Sequence, residues 1–264
     1  MEFKILGGLV IERDGHTVDL GPPKLSLLLA VLLCRLGEPV PIPELIDAIW
    51  NDQPPASASE NLRYYVYQLR KALGRTVIER RGAAYCLVAD AQAVDARRFA
   101  ALVAQAEVAM ARGEHSAAIT LFREGLALWH GRPFAGLHAE PALVKDVLRW
   151  EEQRLAALER CYSVQLDVGA HAELVVELTV LAAENPYRER LHGQLMMALY
   201  RCGRRAEALK VYRDLRTLFV SELGIEPGRD IDDLHQAVLR ADRTLDTAPA
   251  ADPAAPPAGP LLPA

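Results

Sequence analysis

Cysteine is scarce in this sequence, aromatic residues make up 6%, and no apolar run is long. The four cysteines, Cys34, Cys86, Cys161 and Cys202, are widely scattered, with no CxxC pair and no histidine at ligand spacing. That pattern argues against a zinc site or a disulfide framework and fits reduced, mostly buried thiols. No apolar stretch approaches the ~20 residues that cross a bilayer. The opening MEFKILGGLVIERDG lacks the charged head, long apolar segment and small-residue cleavage site of a signal peptide. We therefore expect a cytoplasmic protein that does not engage a membrane. Catalytic signatures are missing too: there is no P-loop, no HExxH and no GxSxG. The seven histidines are dispersed, and His130 and His138 stand in a Gly/Pro-containing loop without an obvious acidic partner. The expectation is no enzyme, no metal and no cofactor.

What is present is an ordinary globular composition, 51% hydrophobic and 25% charged over 264 residues, enough for one large or two ordinary domains. The net charge of −5 speaks mildly against nonspecific nucleic-acid binding, but it is unevenly spread. Between Asn61 and Arg81 lie Arg63, Arg70, Lys71, Arg75, Arg80 and Arg81 against the single acid Glu79. A cationic segment inside an acidic chain is the electrostatic mark of a polyanion-binding surface.

Up to about Asp90 the pattern is mixed α/β. FKILGGLVIERDGHTVDL, split by Gly7-Gly8 and the turn signal Asp14-Gly15, predicts two or three short strands. LSLLLAVLLCRLG after Pro22-Pro23 predicts a buried helix closed by Gly37. PIPELIDAIW predicts a second, with Pro43 in its first turn and Leu45, Ile46, Ile49 and Trp50 on one side. NDQPPASAS reads as a loop, SENLRYYVYQLRKAL as a third helix, and TVIERRGAAYCLV as a hairpin around Gly82. Strands, three helices and a hairpin, in that order, are the elements of a winged helix-turn-helix.

From about Ala91 to Arg243 the sequence is almost wholly helical in character and repeats itself. Gly113 precedes Ala118 and Phe122, Gly169 precedes Leu174 and Leu178, and Gly203 precedes Ala208 and Tyr212, always at offsets of five and nine. Gly169 and Gly203 are 34 residues apart, the tetratricopeptide period. We expect three antiparallel helix pairs, with one inserted helix around PALVKDVLRW. The Ala/Pro-rich end predicts a disordered tail over 244–264. The fold class is thus mainly α in two domains. Residues 1–90 form an α+β winged helix-turn-helix, and residues 91–243 an all-α tetratricopeptide-like domain.

On the third helix, Leu62, Val66, Leu69 and Leu73 fall on one narrow stripe, the core face. Ser57 and Glu60 match a capping box at its start. The opposite side presents Asn61, Tyr64, Tyr67, Gln68 and Lys71, flanked by Arg63, Arg70 and Tyr65. These groups suit base edges in a major groove and the phosphates beside them. Each also has a plainer explanation. Helical tyrosines often pack half-buried, Tyr65 borders the core stripe, and Arg80-Arg81 fits an ordinary exposed loop.

The sequence resembles the actinomycete antibiotic regulatory proteins known as SARPs. The likeness covers roughly residues 1–240 and is carried by ILGGLVIERDG, LSLLLAVLLCRLGEPVPIPELIDAIWNDQPPASA and YVYQLRKALG. In the second domain its carriers are DARRFAALVAQA, ENPYRERLHGQLMMALYRCGRRAEALKVYRDLR and ELGIEPG. The resemblance implies an OmpR-type winged helix, as in two-component effectors, joined to a bacterial transcriptional activation domain. It further implies activation of a secondary-metabolite gene cluster, binding to direct repeats near the promoter −35 element, a homodimer at least on DNA, and recruitment of RNA polymerase with its sigma factor. The third helix would then enter the major groove, with the hairpin carrying Arg80 and Arg81 as the wing near the minor groove. Lys24 stands where the family tends to have Arg, so it offers a phosphate a point charge and no bidentate fork. Ala84-Tyr85 replaces the family's usual Gly-Tyr, which puts the tightness of the wing in question. The resemblance leads us to expect a short, stand-alone member, without an ATPase or sensor module after the helical domain. The rival expectation is a tetratricopeptide-like adaptor that binds proteins and has no DNA target of its own.

Overall fold

The computed structural model describes residues 1–51 and 53–246. They pack as two compact units, one of residues 1–101 with 127–154 and the other of residues 102–126 with 155 onward.

The first unit opens with an antiparallel sheet of β1 (Glu2–Lys4), β2 (Val10–Arg13) and β3 (His16–Thr17), in which Phe3 faces Ile11 and Arg13 faces His16. The expected turn at Asp14-Gly15 joins β2 to β3, both residues taking positive φ, 52° and 78°. Helix α1 (Pro23–Cys34) is buried at every position from Leu27 to Cys34. It packs against α2 (Ile42–Trp50), α3 (Ala58–Leu73) and the strand β6 (Ala84–Leu87). A helix apolar all round forms when other elements surround it, which is why its sequence shows no polar face. The second sheet has the order β4 (Val40–Pro41), β6, β5 (Ile78–Arg81), all antiparallel. The β5–β6 hairpin closes tightly, because Gly82 supplies the left-handed residue (φ 62°) and Ala84 sits in regular pairing with Arg81 and Pro41. Alanine in place of glycine at position 84 therefore leaves the wing intact.

A connection not foreseen from the sequence completes this unit. The main chain at Ile5–Gly7, just past β1, accepts hydrogen bonds from the amides of His130 (2.8 Å), Phe134 (3.0 Å) and Ala135 (2.9 Å). Its own amides at Ile5 and Leu6 donate to the carboxylate of Asp95 at the start of α4 (Asp95–Ala111), at 2.8–3.0 Å. Asp95 also caps its own helix by accepting from Ala96 at 2.7 Å, and it is only 2% exposed. Three buried amides thus converge on one carboxylate, which satisfies groups that no strand partner reaches.

The second unit is helical: the later part of α4, α5 (His115–Leu126), the later part of α6 (Pro141–Asp167), α7 (His171–Glu184), α8 (Glu189–Arg201), α9 (Arg205–Leu218) and α10 (Arg229–Arg240). The repeat seen in the sequence is structural. Gly113, Gly169 and Gly203 all adopt positive φ (74°, 96° and 76°) at the turns after α4, α6 and α8. The residues five and nine positions later, Ala118 and Phe122, Leu174 and Leu178, Ala208 and Tyr212, are all buried. The expected inserted helix is corrected: PALVKDVLRW is the first part of the unbroken 27-residue α6. No helix-ending glycine or proline follows it until Gly169, so nothing separates it from the rest.

A π-helical turn, Phe219–Leu223, follows α9. The added α10 is held to α9 by Tyr212, whose hydroxyl donates to Asp232 (2.7 Å) and whose ring stacks on His235 at 3.9 Å. A short turn at Arg243–Leu245 ends the described chain, with the Leu245 carbonyl accepting from Arg201 Nε at 2.9 Å. The rest of the stretch expected as a tail, 247–264, lies outside the described residues. Cys34, Cys86 and Cys161 are buried thiols and Cys202 is half-buried. Burial pushes the thiols of Cys34 and Cys161 up, the latter to about 12. Among the described residues no helix is long and apolar enough to cross a membrane.

Candidate nucleic-acid interface

Helix α3 is fixed by its apolar stripe. Leu62, Val66, Leu69 and Leu73 are at most 1% exposed and pack toward α1 and α2, which leaves the opposite side to solvent. The expected capping box does not form: Ser57 makes no side-chain bond to the first turn. Its Oγ instead accepts from Asn61 Nδ2 at 3.1 Å, so the serine is committed to the side chain four residues on. The C-terminal end is better tied. The Arg13 guanidinium donates to the Leu73 carbonyl, and the Gly74 amide closes on the Arg70 carbonyl at 2.9 Å.

On the solvent side, Tyr64 and Tyr67 are 57% and 61% exposed, high values for rings of that size. Arg63 and Lys71 are exposed beside them, with Asn61 and Gln68 half-buried on the same side. Neither Arg63 nor Lys71 has an ion-pair partner among the described residues. Arg70 differs: its Nε donates to the Ile78 carbonyl at 2.8 Å, which locks α3 to the first wing strand. Tyr65 leaves the exposed face and stacks on Trp50 (ring centroids 5.9 Å apart, planes 18° apart). The Lys24 ammonium lies 4.9 Å from the same indole, a cation–π contact that holds the start of α1 to the end of α2.

In the wing, Arg81 is partly neutralised. Its Nη2 lies 2.9 Å from Glu79, and that hydrogen-bonded carboxylate raises the guanidinium above its ordinary value. Arg80 stays exposed, its Nε donating only to the Gly82 carbonyl at 3.2 Å. Asn61, Arg63, Tyr64, Tyr67, Gln68 and Lys71 therefore share one helix side, Arg80 and Arg81 share the adjoining hairpin, and Lys24 belongs to the Trp50 cluster. Three contributors escaped the sequence reading. Trp50 read only as one of four apolar residues along one side of its helix, Arg13 lies 60 positions from the carbonyl it caps, and the Glu79–Arg81 pair needed the strand geometry. Among the described residues there is no cluster of side chains able to hold a metal ion.

Two family models match the chain. Residues 15–87 match the transcriptional regulatory protein C-terminal family, and residues 94–239 match the bacterial transcriptional activator domain. The regulatory protein AfsR of Streptomyces griseus is 41% identical over 254 residues, 96% of this chain and 26% of AfsR. The regulatory protein DnrI of Streptomyces peucetius is 36% identical over 257 residues, 93% of this chain and 94% of DnrI. The chain thus spans about a quarter of AfsR and nearly all of DnrI. Among solved structures, Mycobacterium tuberculosis EmbR, in complex with a low-affinity phosphopeptide, superposes with a TM-score of 0.88 at 30% identity. That match covers 93% of this chain and 68% of EmbR.

Proposed function

The chain belongs to the SARP family, transcriptional regulators that join an OmpR-type winged helix to a bacterial transcriptional activator domain, and on that premise we propose that it is a sequence-specific activator of a secondary-metabolite gene cluster. Two copies bind side by side on direct repeats close to the promoter −35 element. They recruit RNA polymerase together with its sigma factor, in the cytoplasm at the nucleoid. Residues 1–90 carry the DNA contacts, and residues 91–243 carry activation.

The observation that carries this reading is the solvent side of α3. Two exposed tyrosines, two half-buried amides and two cations with no ion-pair partner among the described residues stand opposite a fully buried stripe, beside a hairpin that carries two more arginines. Asn61 and Gln68 offer paired donors and acceptors to base edges, while Arg63, Lys71, Arg80 and Lys24 offer charge to phosphates. The wing is held at a fixed distance from the helix by the Arg70–Ile78 bond, so both elements meet a duplex as one body. Arg81 contributes less than Arg80, because Glu79 already occupies its guanidinium.

The test is a mobility-shift titration of the full chain on promoter fragments from its own gene neighbourhood, followed by footprinting. The reading expects protection of two adjacent repeats on one such fragment. Absence of any shift on every fragment favours the adaptor reading instead.

A further inference from the structure

A file of rings runs from the end of α2 to the solvent side of α3. Trp50 is half-buried at the end of α2, Tyr65 stacks on it, and Tyr64 stands 6.2 Å from Tyr65 with planes tilted by 56°. The Lys24 ammonium closes the inner end against the indole. The outer ring, Tyr64, is more than half exposed, and its hydroxyl has no hydrogen-bond partner among the described residues. A ring braced from behind has few rotamers left to lose, so it meets a partner already oriented. In the major groove a base pair presents polar donors and acceptors and one apolar group, the thymine 5-methyl. The polar edges have Asn61 and Gln68 to match them. What the flat, braced ring of Tyr64 matches is the methyl.

We propose that Tyr64 is a specificity-determining residue that reads thymine 5-methyl groups, and that Trp50, acting through Tyr65, is its positioning residue; this rests on the DNA-binding reading above. Tyr64 lies on the far side of α3 from Leu62 and Val66, so it reaches a groove without disturbing the core. Its contact is with the ring and does not need the hydroxyl.

The experiment begins with a duplex enriched from a randomised library on the full wild-type chain, and then exchanges each thymine for uracil in turn. Uracil keeps every hydrogen-bonding group and removes only the methyl. At one or two positions the exchange weakens wild-type binding about fourfold, the worth of one buried methyl. Tyr64→Phe keeps that penalty. Tyr64→Ala binds the unmodified duplex more weakly and is indifferent to uracil at the same positions. Trp50→Leu shrinks the uracil penalty while the base preferences that depend on Asn61 and Gln68 stay as in wild type, a split that general loosening of the fold would not produce. Wild-type indifference to uracil throughout, a full penalty retained by Tyr64→Ala, or a penalty lost in Tyr64→Phe each overturns the proposal. If no duplex is enriched at all, the DNA-binding reading falls and takes this inference with it.

Discussion

Replacing Asp95 with alanine should destabilise the first unit by about 3 kcal/mol or more, because three buried amides lose their acceptor together. The Ile5 amide lies 2.8 and 2.9 Å from the two carboxylate oxygens, Leu6 donates at 3.0 Å and Ala96 at 2.7 Å. Each buried amide left unpaired costs roughly 1–3 kcal/mol, so even the lower bound sums to a large part of a domain's ordinary stability. With a urea slope of about 1–3 kcal/mol per molar, the unfolding midpoint drops by about 1 M or more. Asp95→Asn retains one acceptor oxygen but turns an NH2 toward the remaining amide, so it should fall between wild type and alanine. Urea titration followed by circular dichroism reads all three. An alanine variant within about 0.5 kcal/mol of wild type, the range of an ordinary surface change, would refute the clamp.

Lys71→Ala should weaken binding to every duplex and reduce the salt slope by about one while leaving the melting temperature unchanged. Arg70→Ala should weaken binding and also lower the melting temperature, since it removes the donor to the Ile78 carbonyl, worth about 1–2 kcal/mol. Gln68→Ala and Asn61→Ala should relax sequence choice by about 1–3 kcal/mol at one position each, read as a narrowed gap between enriched and random duplexes. The helical unit should lose stability as pH falls below about 6.5, because burial holds His171, His192 and His235 below that ordinary value. The unfolded chain then takes up protons that the folded one resists, and folding weakens in that window. Thermal melts at pH 7.5 and 5.5 check this, and His192→Gln should flatten the difference.

Local signals made much of this architecture legible. The α3 stripe, the turn at Asp14-Gly15 and the three repeat glycines are periodic or punctuating features that a few neighbouring residues decide. The apolar run of α1 likewise announced its central position. What stayed hidden depends on residues far apart in the chain. Asp95 reaches back 90 positions to Ile5, and His130 and Phe134 pair with backbone near β1, contacts that leave no period in the sequence. The Ser57–Glu60 spacing matched a capping box, yet Ser57 takes φ −90° and ψ 14° and its hydroxyl goes to Asn61, so the match was one of letters only. At the interface, the outward set followed from periodicity, as did the marginal place of Tyr65. Whether a cation stands free or occupied did not, because Arg70 and Arg81 find their partners only once the hairpin folds.

The central claim is that the exposed side of α3 and its wing neutralise and read a DNA duplex, and the salt dependence of binding measures it most directly. Lys24, Arg63, Lys71 and Arg80 are the cations that the account assigns to phosphates, and none of the four has an acidic partner among the described residues. If each releases one counterion, the logarithm of the binding constant falls linearly with the logarithm of salt at a slope of about −4 per chain. Lys71→Ala makes that slope shallower by about one. A binding constant that does not change between 50 and 200 mM salt, or a slope that Lys71→Ala leaves as it was, contradicts the account.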